Sequence, residues 1–222
     1  MNVYGSDLRE GSGGDGSGAD GGSPFDADAF LIEQLWRVWI NRYKVSLVGP
    51  DGETGTQVVA WAEQKRMRLK EDFRFYTDES RTSEAFRIKA RTMLELRGRY
   101  MVTDANDKAI GALHKQFTQS LVRSTWVIQG PDGADVAMAR EKSMSMAVLR
   151  RVIDFVPYLD LIPLPYHFEF FLAGSDQPIA EFRRKISFKD RYRLVFSGDP
   201  ERRLDRRLAI ALAVGLDALQ SR

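Results

Sequence analysis

Residues Lys65 to Lys70 read KRMRLK, and basic and apolar side chains alternate along them. Successive side chains of an extended strand point to opposite faces. Arg66, Arg68 and Lys70 therefore share one face, with Met67 and Leu69 on the other. Much later in the chain, Lys185, Ser187 and Lys189 alternate with Ile186 and Phe188 in the same way. Two basic rows of this kind can hold phosphate oxygens through charge-assisted hydrogen bonds. Brought close together, they would form an anion-binding patch suited to lipid headgroups. The competing reading is that both rows are ordinary solvated outer faces of strands, where lysine and arginine are routine.

The remaining reactive residues are sparse. There is no cysteine, which excludes disulfides, thiolate metal sites and cysteine nucleophiles. The two histidines, His114 and His167, lie in separate segments without metal-ligand spacing and read as structural or surface residues. Ser120 and Ser124 have no accompanying histidine–acid arrangement. Gly49–Gln57, GPDGETGTQ, lacks the Gly-Lys-Ser/Thr ending of a phosphate loop and reads as a hairpin turn. Asp104 and Asp107 flank an Ala-Asn turn. No cofactor, metal site or catalytic group is expected, and the chain does not read as an enzyme.

Charge is unevenly distributed. Residues 1–29 carry six acids and one base, while the whole chain is +2. A modestly basic body thus follows an acidic leader. Gly11–Ser23, GSGGDGSGADGGS, has no apolar residue larger than alanine and cannot offset the entropy of ordering. Residues 1–24 are expected to be disordered, and residues 25–222 to form one domain. Residues 1–29 lack the basic start and apolar run of a signal peptide. The expected location is cytoplasmic, free or at the periphery of a membrane.

From Tyr43 onward the dominant signal is strands of period two broken by short turns. Tyr43–Lys65, Tyr100–Gln116, Trp126–Lys142 and Phe168–Lys185 each read as a hairpin with a polar turn. Pro-Asp-Gly at 50–52 and again at 131–133 supplies the turn chemistry. Ala60–Glu79 is echoed by Ile179–Asp199 at a constant offset of 119, with apolar positions matching in phase. Ser145–Leu159 has helical spacing, and the proline-rich Phe155–Pro165 is expected to lie over a barrel end. Phe30–Tyr43 fits either a helix or a strand.

The last tract, Arg206–Gln220, is RRLAIALAVGLDALQ. Its uncharged run from Leu208 to Leu216 is far short of the about 20 residues a crossing needs. It lacks the polar face of an interfacial helix. A helix apolar all round is buried all round, and in a strand-rich chain that place is the inside of a closed sheet. Asp199 and Pro200 suit the N-cap and first turn, so the helix is expected to run from there to about Leu219.

Phe86–Gly133, with its FRIKA strand, RYMVTDAN turn, KQFT and STWVI, resembles the LURP-one-related proteins. These fall within the tubby C-terminal-like superfamily, which also includes phospholipid scramblases. KRMRLKEDFRFY, FKDRYRLV and the apolar end fit as well, so the resemblance covers about Phe30 to Leu219. It implies a mainly β fold: a closed antiparallel barrel of about twelve strands around a buried C-terminal helix. It also implies that FLIEQ, Phe30–Gln34, is a strand. Tubby domains bind phosphoinositides through basic side chains, and scramblases are tied to lipid movement. This chain has neither the membrane-anchor helix nor the cysteines of scramblases, so scramblase activity is not carried over.

The expected function is a non-enzymatic binding module that recognises anionic phospholipid headgroups at a membrane surface. The candidate residues are Arg66, Arg68, Lys70, Lys185 and Lys189. A protein-interaction scaffold without lipid binding is the alternative, ahead of a small-ligand carrier or enzyme. Nucleic acid is a poor fit, because the aromatic residues keep the alternating core phase rather than sharing a basic face.

Overall fold

The computed structural model describes residues 22–35, 40–65, 72–90, 99–116, 124–142, 167–185 and 191–220. A single 3-10 turn, Pro24–Asp26, is capped by Ser23, whose hydroxyl accepts from the Phe25 amide. Twelve strands are described after it. They are β1 (Ala29–Leu35), β2 (Ile40–Val48), β3 (Gly55–Lys65), β4 (Asp72–Tyr76), β5 (Glu84–Ala90) and β6 (Arg99–Asp104). Then follow β7 (Ala109–Gln116), β8 (Thr125–Gln129), β9 (Asp135–Glu141), β10 (His167–Leu172), β11 (Pro178–Lys185) and β12 (Arg191–Phe196). One helix, α1 (Arg206–Gln220), ends the described chain. Every strand pairs antiparallel with its neighbours in sequence, and β1 pairs with β12 to close the barrel. Phe30–Gln34 is indeed strand, and all four expected hairpins form.

Alternation fixes which side of the wall each residue meets. Phe30, Ile32, Tyr43, Val45, Phe73, Phe75, Phe86, Phe168, Phe170, Phe182, Tyr192 and Leu194 are all buried. Phe75 stacks on Phe86 at 4.1 Å, and Phe25 meets Phe86 edge-on at 5.6 Å. Closure leaves no free sheet edge, and α1 fills the space that closure creates. Leu208, Ile210, Leu212, Val214 and Leu216, with three intervening alanines, are 2% exposed or less. Gly111 on β7 makes room for this packing. A Cβ there would lie 2.2 Å from the Gln129 carbonyl oxygen and 3.0 Å from a Leu208 methyl carbon.

Two expectations need correction. The helix does not begin at Asp199. Asp199 instead accepts the amides of Arg203 (2.9 Å) and Leu204 (3.1 Å), holding a non-helical turn. Asp205 caps α1, its carboxylate taking the Arg207 amide at 2.9 Å and its carbonyl the Leu208 amide at 3.0 Å. The offset of 119 also holds only for the second strand of each pair. Phe73 and Tyr192 are both buried, as are Phe75 and Leu194. On the first strands it sets buried Ala62 against half-buried Glu181. An offset of 120 places Ala60 on Ala180 and Ala62 on Phe182, all buried. The connection 186–190 is one residue shorter than 66–71, which accounts for the slip. The expected helix at Ser145–Leu159 and the proline-rich segment lie outside the described residues.

Candidate functional site

The barrel interior has no chamber for a substrate among the described residues. Between α1 and the wall a gap of about 10 Å³ remains, lined by Phe73, Ile88, Tyr100, Leu113 and Trp126. That is at the limit for one water molecule, and the lining is apolar. The sites described next lie on the outer surface.

Strand direction sorts the connections between two rims. The segments after β2, β4, β6, β8, β10 and β12 share one rim, here the turn rim. The odd-numbered strands end at the opposite rim, here the far rim, and the segments that follow them are named after it. Turn-rim segments 49–54, 77–83, 105–108, 130–134, 173–177 and 197–205 hold ten acids and four bases. Far-rim segments 36–39, 66–71, 91–98, 117–124, 142–166 and 186–190 hold eleven bases and five acids. By sequence, the segments that join the strands at one rim and those that join them at the other thus carry opposite net charge. The turn rim spends many of its acids locally. Asp51 accepts the amides of Glu53 and Thr54, which with the Thr54 hydroxyl lower its pKa to about 2. Asp104 takes the amides of Asn106 and Lys108. These are the turn roles the sequence suggested, and Gly52 and Gly133 take the positive φ values of 68° and 83°.

Arg66, Arg68, Lys70 and Lys189 lie outside the described residues. Lys185 ends β11, its backbone directly opposite Arg191. The segments that follow β3 and β11 leave the same rim, with β12, β1 and β2 between those strands. Four strand steps amount to roughly 19 Å around the wall. Strands β3 and β11, which lead into the two basic rows, end at the same rim.

On the outer wall most described cations are paired. Glu33 meets Lys44 at 2.7 Å and Arg191 at 3.0 Å. Burial pushes its pKa up, but these two cations outweigh that and lower it. Lys89 reaches Asp107 at 3.0 Å. His167, Glu169 and Glu181 cluster with metal-ligand spacing, which the sequence did not reveal because Glu181 comes from the neighbouring strand. Lys142 already sits there, its ammonium 2.5 Å from Glu169 and 3.7 Å from Glu181. Arg183 donates to His167 Nε2 at 3.2 Å. Burial, Arg183 and Lys142 together lower the His167 pKa, so it is neutral at pH 7. The chain's own cations neutralise this cluster.

A cleft of about 310 Å³ opens on the outer wall over β2, β3 and β4. Glu63 occupies its floor, 7% exposed although it points away from the core. Arg42 Nε (3.1 Å) and Arg81 Nη1 (2.6 Å) both donate to the same oxygen, Glu63 Oε2. Arg42 faces Glu63 across the β2–β3 pair, two register shifts away from the Val48–Gly55 pairing at the turn. Arg81 arrives from the β4–β5 loop, where it adopts a left-handed φ of 63°. Trp61 and Tyr76, opposite each other on β3 and β4, line the same cleft. A hairpin reading of the sequence puts both residues on facing strands but, counted from the turn at constant register, sets Arg42 opposite Trp61. Arg81 carries no such signal.

A family model described as LURP-one-related matches residues 58–217, from β3 to near the end of α1. No curated protein matches the chain.

Proposed function

The chain belongs to the LURP-one-related family, and we propose that it is a non-enzymatic binding module that holds anionic phospholipid headgroups at a membrane surface. The observation that supports this is the separation of charge between the rims: eleven bases against five acids on one, ten acids against four bases on the other. A membrane surface with anionic lipid attracts the far rim and repels the turn rim. Orientation comes with attraction, because the two ends carry opposite charge. Trp36, Trp39, Phe117, Phe155 and Phe188 belong to the same far-rim segments, and aromatic residues favour the headgroup layer. Arg66, Arg68, Lys70, Lys185 and Lys189 are the residues assigned to this contact. In this reading they act together as a basic field. No helix among the described residues is long and apolar enough to cross a membrane, so the proposed contact is peripheral.

Vesicle flotation tests the proposal. Phosphatidylcholine vesicles containing phosphatidylserine should carry the protein, and vesicles without it should not. Each base near the surface contributes about 1 kcal/mol, so Arg66→Glu, Arg68→Glu and Lys70→Glu together should weaken binding by at least a hundredfold. Salt should weaken it as well. Equal flotation with and without phosphatidylserine, or no response to the triple variant, would remove the lipid reading.

A further inference from the structure

The Arg42–Glu63–Arg81 cleft lies on the outer wall over β2, β3 and β4, close to where β3 leads into segment 66–71, and has a chemistry of its own. Glu63 is an acid buried on the outward side of a strand, which is costly unless its charge is compensated. Two guanidinium groups compensate it, and both do so through one carboxylate oxygen. One acid between two bases leaves a net positive charge on the triad, and exposed Glu79, which also lines the cleft, brings the lining as a whole to zero. A guanidinium has five N–H donors, and among the described residues each of these two spends a single one on a side-chain acceptor. The Arg81 side chain is 42% exposed and that of Arg42 24%, so their remaining donors are within reach of a ligand. The left-handed backbone at Arg81 carries a conformational cost for a non-glycine residue. The loop accepts that cost while bringing Arg81 over the wall. Trp61 and Tyr76 add an aromatic side to the cleft, and its volume is at the small end of the range for ligand pockets.

We infer that this cleft is a binding site for a phosphate monoester carrying a flat or apolar body. The free edges of Arg42 and Arg81 take the phosphate oxygens, and Glu63 is a positioning residue that aims both guanidinium groups. Trp61 and Tyr76 pack against the body of the ligand. Such a monoester reaches the site either free in solution or as the headgroup of a lipid, and the cleft recognises the same chemistry in both.

Phenyl phosphate is the soluble probe, with inorganic phosphate and phenol as controls, titrated calorimetrically into the full chain. Phenyl phosphate should bind roughly tenfold tighter than inorganic phosphate, and phenol should not register. Arg81→Ala should weaken phenyl phosphate binding about tenfold or more. Arg81→Lys keeps the charge but not the planar fork, and should also weaken it, which covers the case in which Arg81→Ala disturbs the loop. Trp61→Ala should bring phenyl phosphate down to the level of inorganic phosphate. Arg202→Ala, outside the cleft, should change nothing. The second arm uses vesicles with and without phosphatidic acid. Soluble binding that Arg81→Lys weakens supports a free monoester, and binding seen only on phosphatidic acid vesicles and weakened by Arg81→Lys supports the lipid-borne one. Binding in neither arm, or binding that the Arg81 variants leave unchanged, overturns the inference. The Arg66, Arg68 and Lys70 triple variant should retain cleft binding, so a failure of the far-rim proposal and a failure of this one are distinguishable.

Discussion

Replacing Arg206 with methionine should be among the most damaging single changes in this protein. Arg206 opens α1 and is 3% exposed, although it is charged. Its guanidinium donates to Asp199 Oδ2 at 2.6 Å, the Asp199 carbonyl at 3.0 Å, the Leu204 carbonyl at 3.2 Å and Asp28 Oδ1 at 3.0 Å. It also lies over the Phe196 ring, 3.7 Å from the centroid. One side chain thus ties the segment before β1, the end of β12 and the start of α1 together. Methionine keeps much of the apolar stem but leaves the Asp199 carboxylate, 1% exposed, without its counter-charge. Removing one partner of a buried ion pair costs about 3–5 kcal/mol. For a domain of this size that corresponds to a fall in Tm of about 6–20 °C. Urea unfolding followed by circular dichroism measures the loss. The reasoning also requires Asp199→Asn with Arg206→Met to cost less than the sum of the two single changes, because the stranded charge is gone. A loss below about 1 kcal/mol for Arg206→Met, or simple additivity in the double variant, would show that Arg206 is not the tie this geometry describes.

Other expected outcomes concern packing and pH. Gly111→Ala puts a Cβ 2.2 Å from a backbone oxygen, so it should cost about 2 kcal/mol or more in thermal or urea unfolding. Leu212→Ala inside α1 should cost about 2–5 kcal/mol by leaving a cavity the barrel wall cannot close. Deleting the chain after Arg203 removes six large buried aliphatics, Leu204 among them, worth about 9–18 kcal/mol, comparable to the total stability of a domain. The truncated protein should show no cooperative melt, and a soluble, cooperatively melting product would contradict a helix that fills the barrel. Asp199 and Glu33 have lowered pKa values in the folded protein. For Asp199 burial pushes upward but the Leu204 amide and Arg206 prevail, and for Glu33 Lys44 and Arg191 prevail over burial. Their contribution is complete above their ordinary values of 3.8 and 4.5 and is lost as pH falls through the lower folded values. The urea midpoint should therefore drop between pH 5 and pH 3, less steeply in the Asp199→Asn, Arg206→Met double variant.

The sequence was sufficient for the strands, their hairpins and the burial of α1. Period-two alternation in Phe73–Phe75 or Tyr192–Leu194 and an all-apolar helix such as Leu208–Leu216 are local patterns. Each states its own environment, because a residue on a pleated strand meets either the core or the solvent. Pro-Asp-Gly turns then mark where strands reverse, whereas the two register shifts that bring Arg42 opposite Glu63 carry no such local mark. Tertiary structure decided what depends on distant segments meeting. Asp199 looks like a helix cap in isolation, yet Arg206, seven residues on, bonds to its carboxylate, and Asp205 caps α1 instead. A one-residue difference in connection length, invisible to a constant offset, shifts the phase of β11 against β3. Arg81 enters the cleft only because the β4–β5 loop folds over β3, and Glu181 joins His167 only through the β10–β11 pairing. Whether two basic rows share a rim also rests on barrel closure and strand direction. A charge in sequence has a sign but no neighbours, and its neighbours decide whether it is spent on an ion pair or left to hold a ligand.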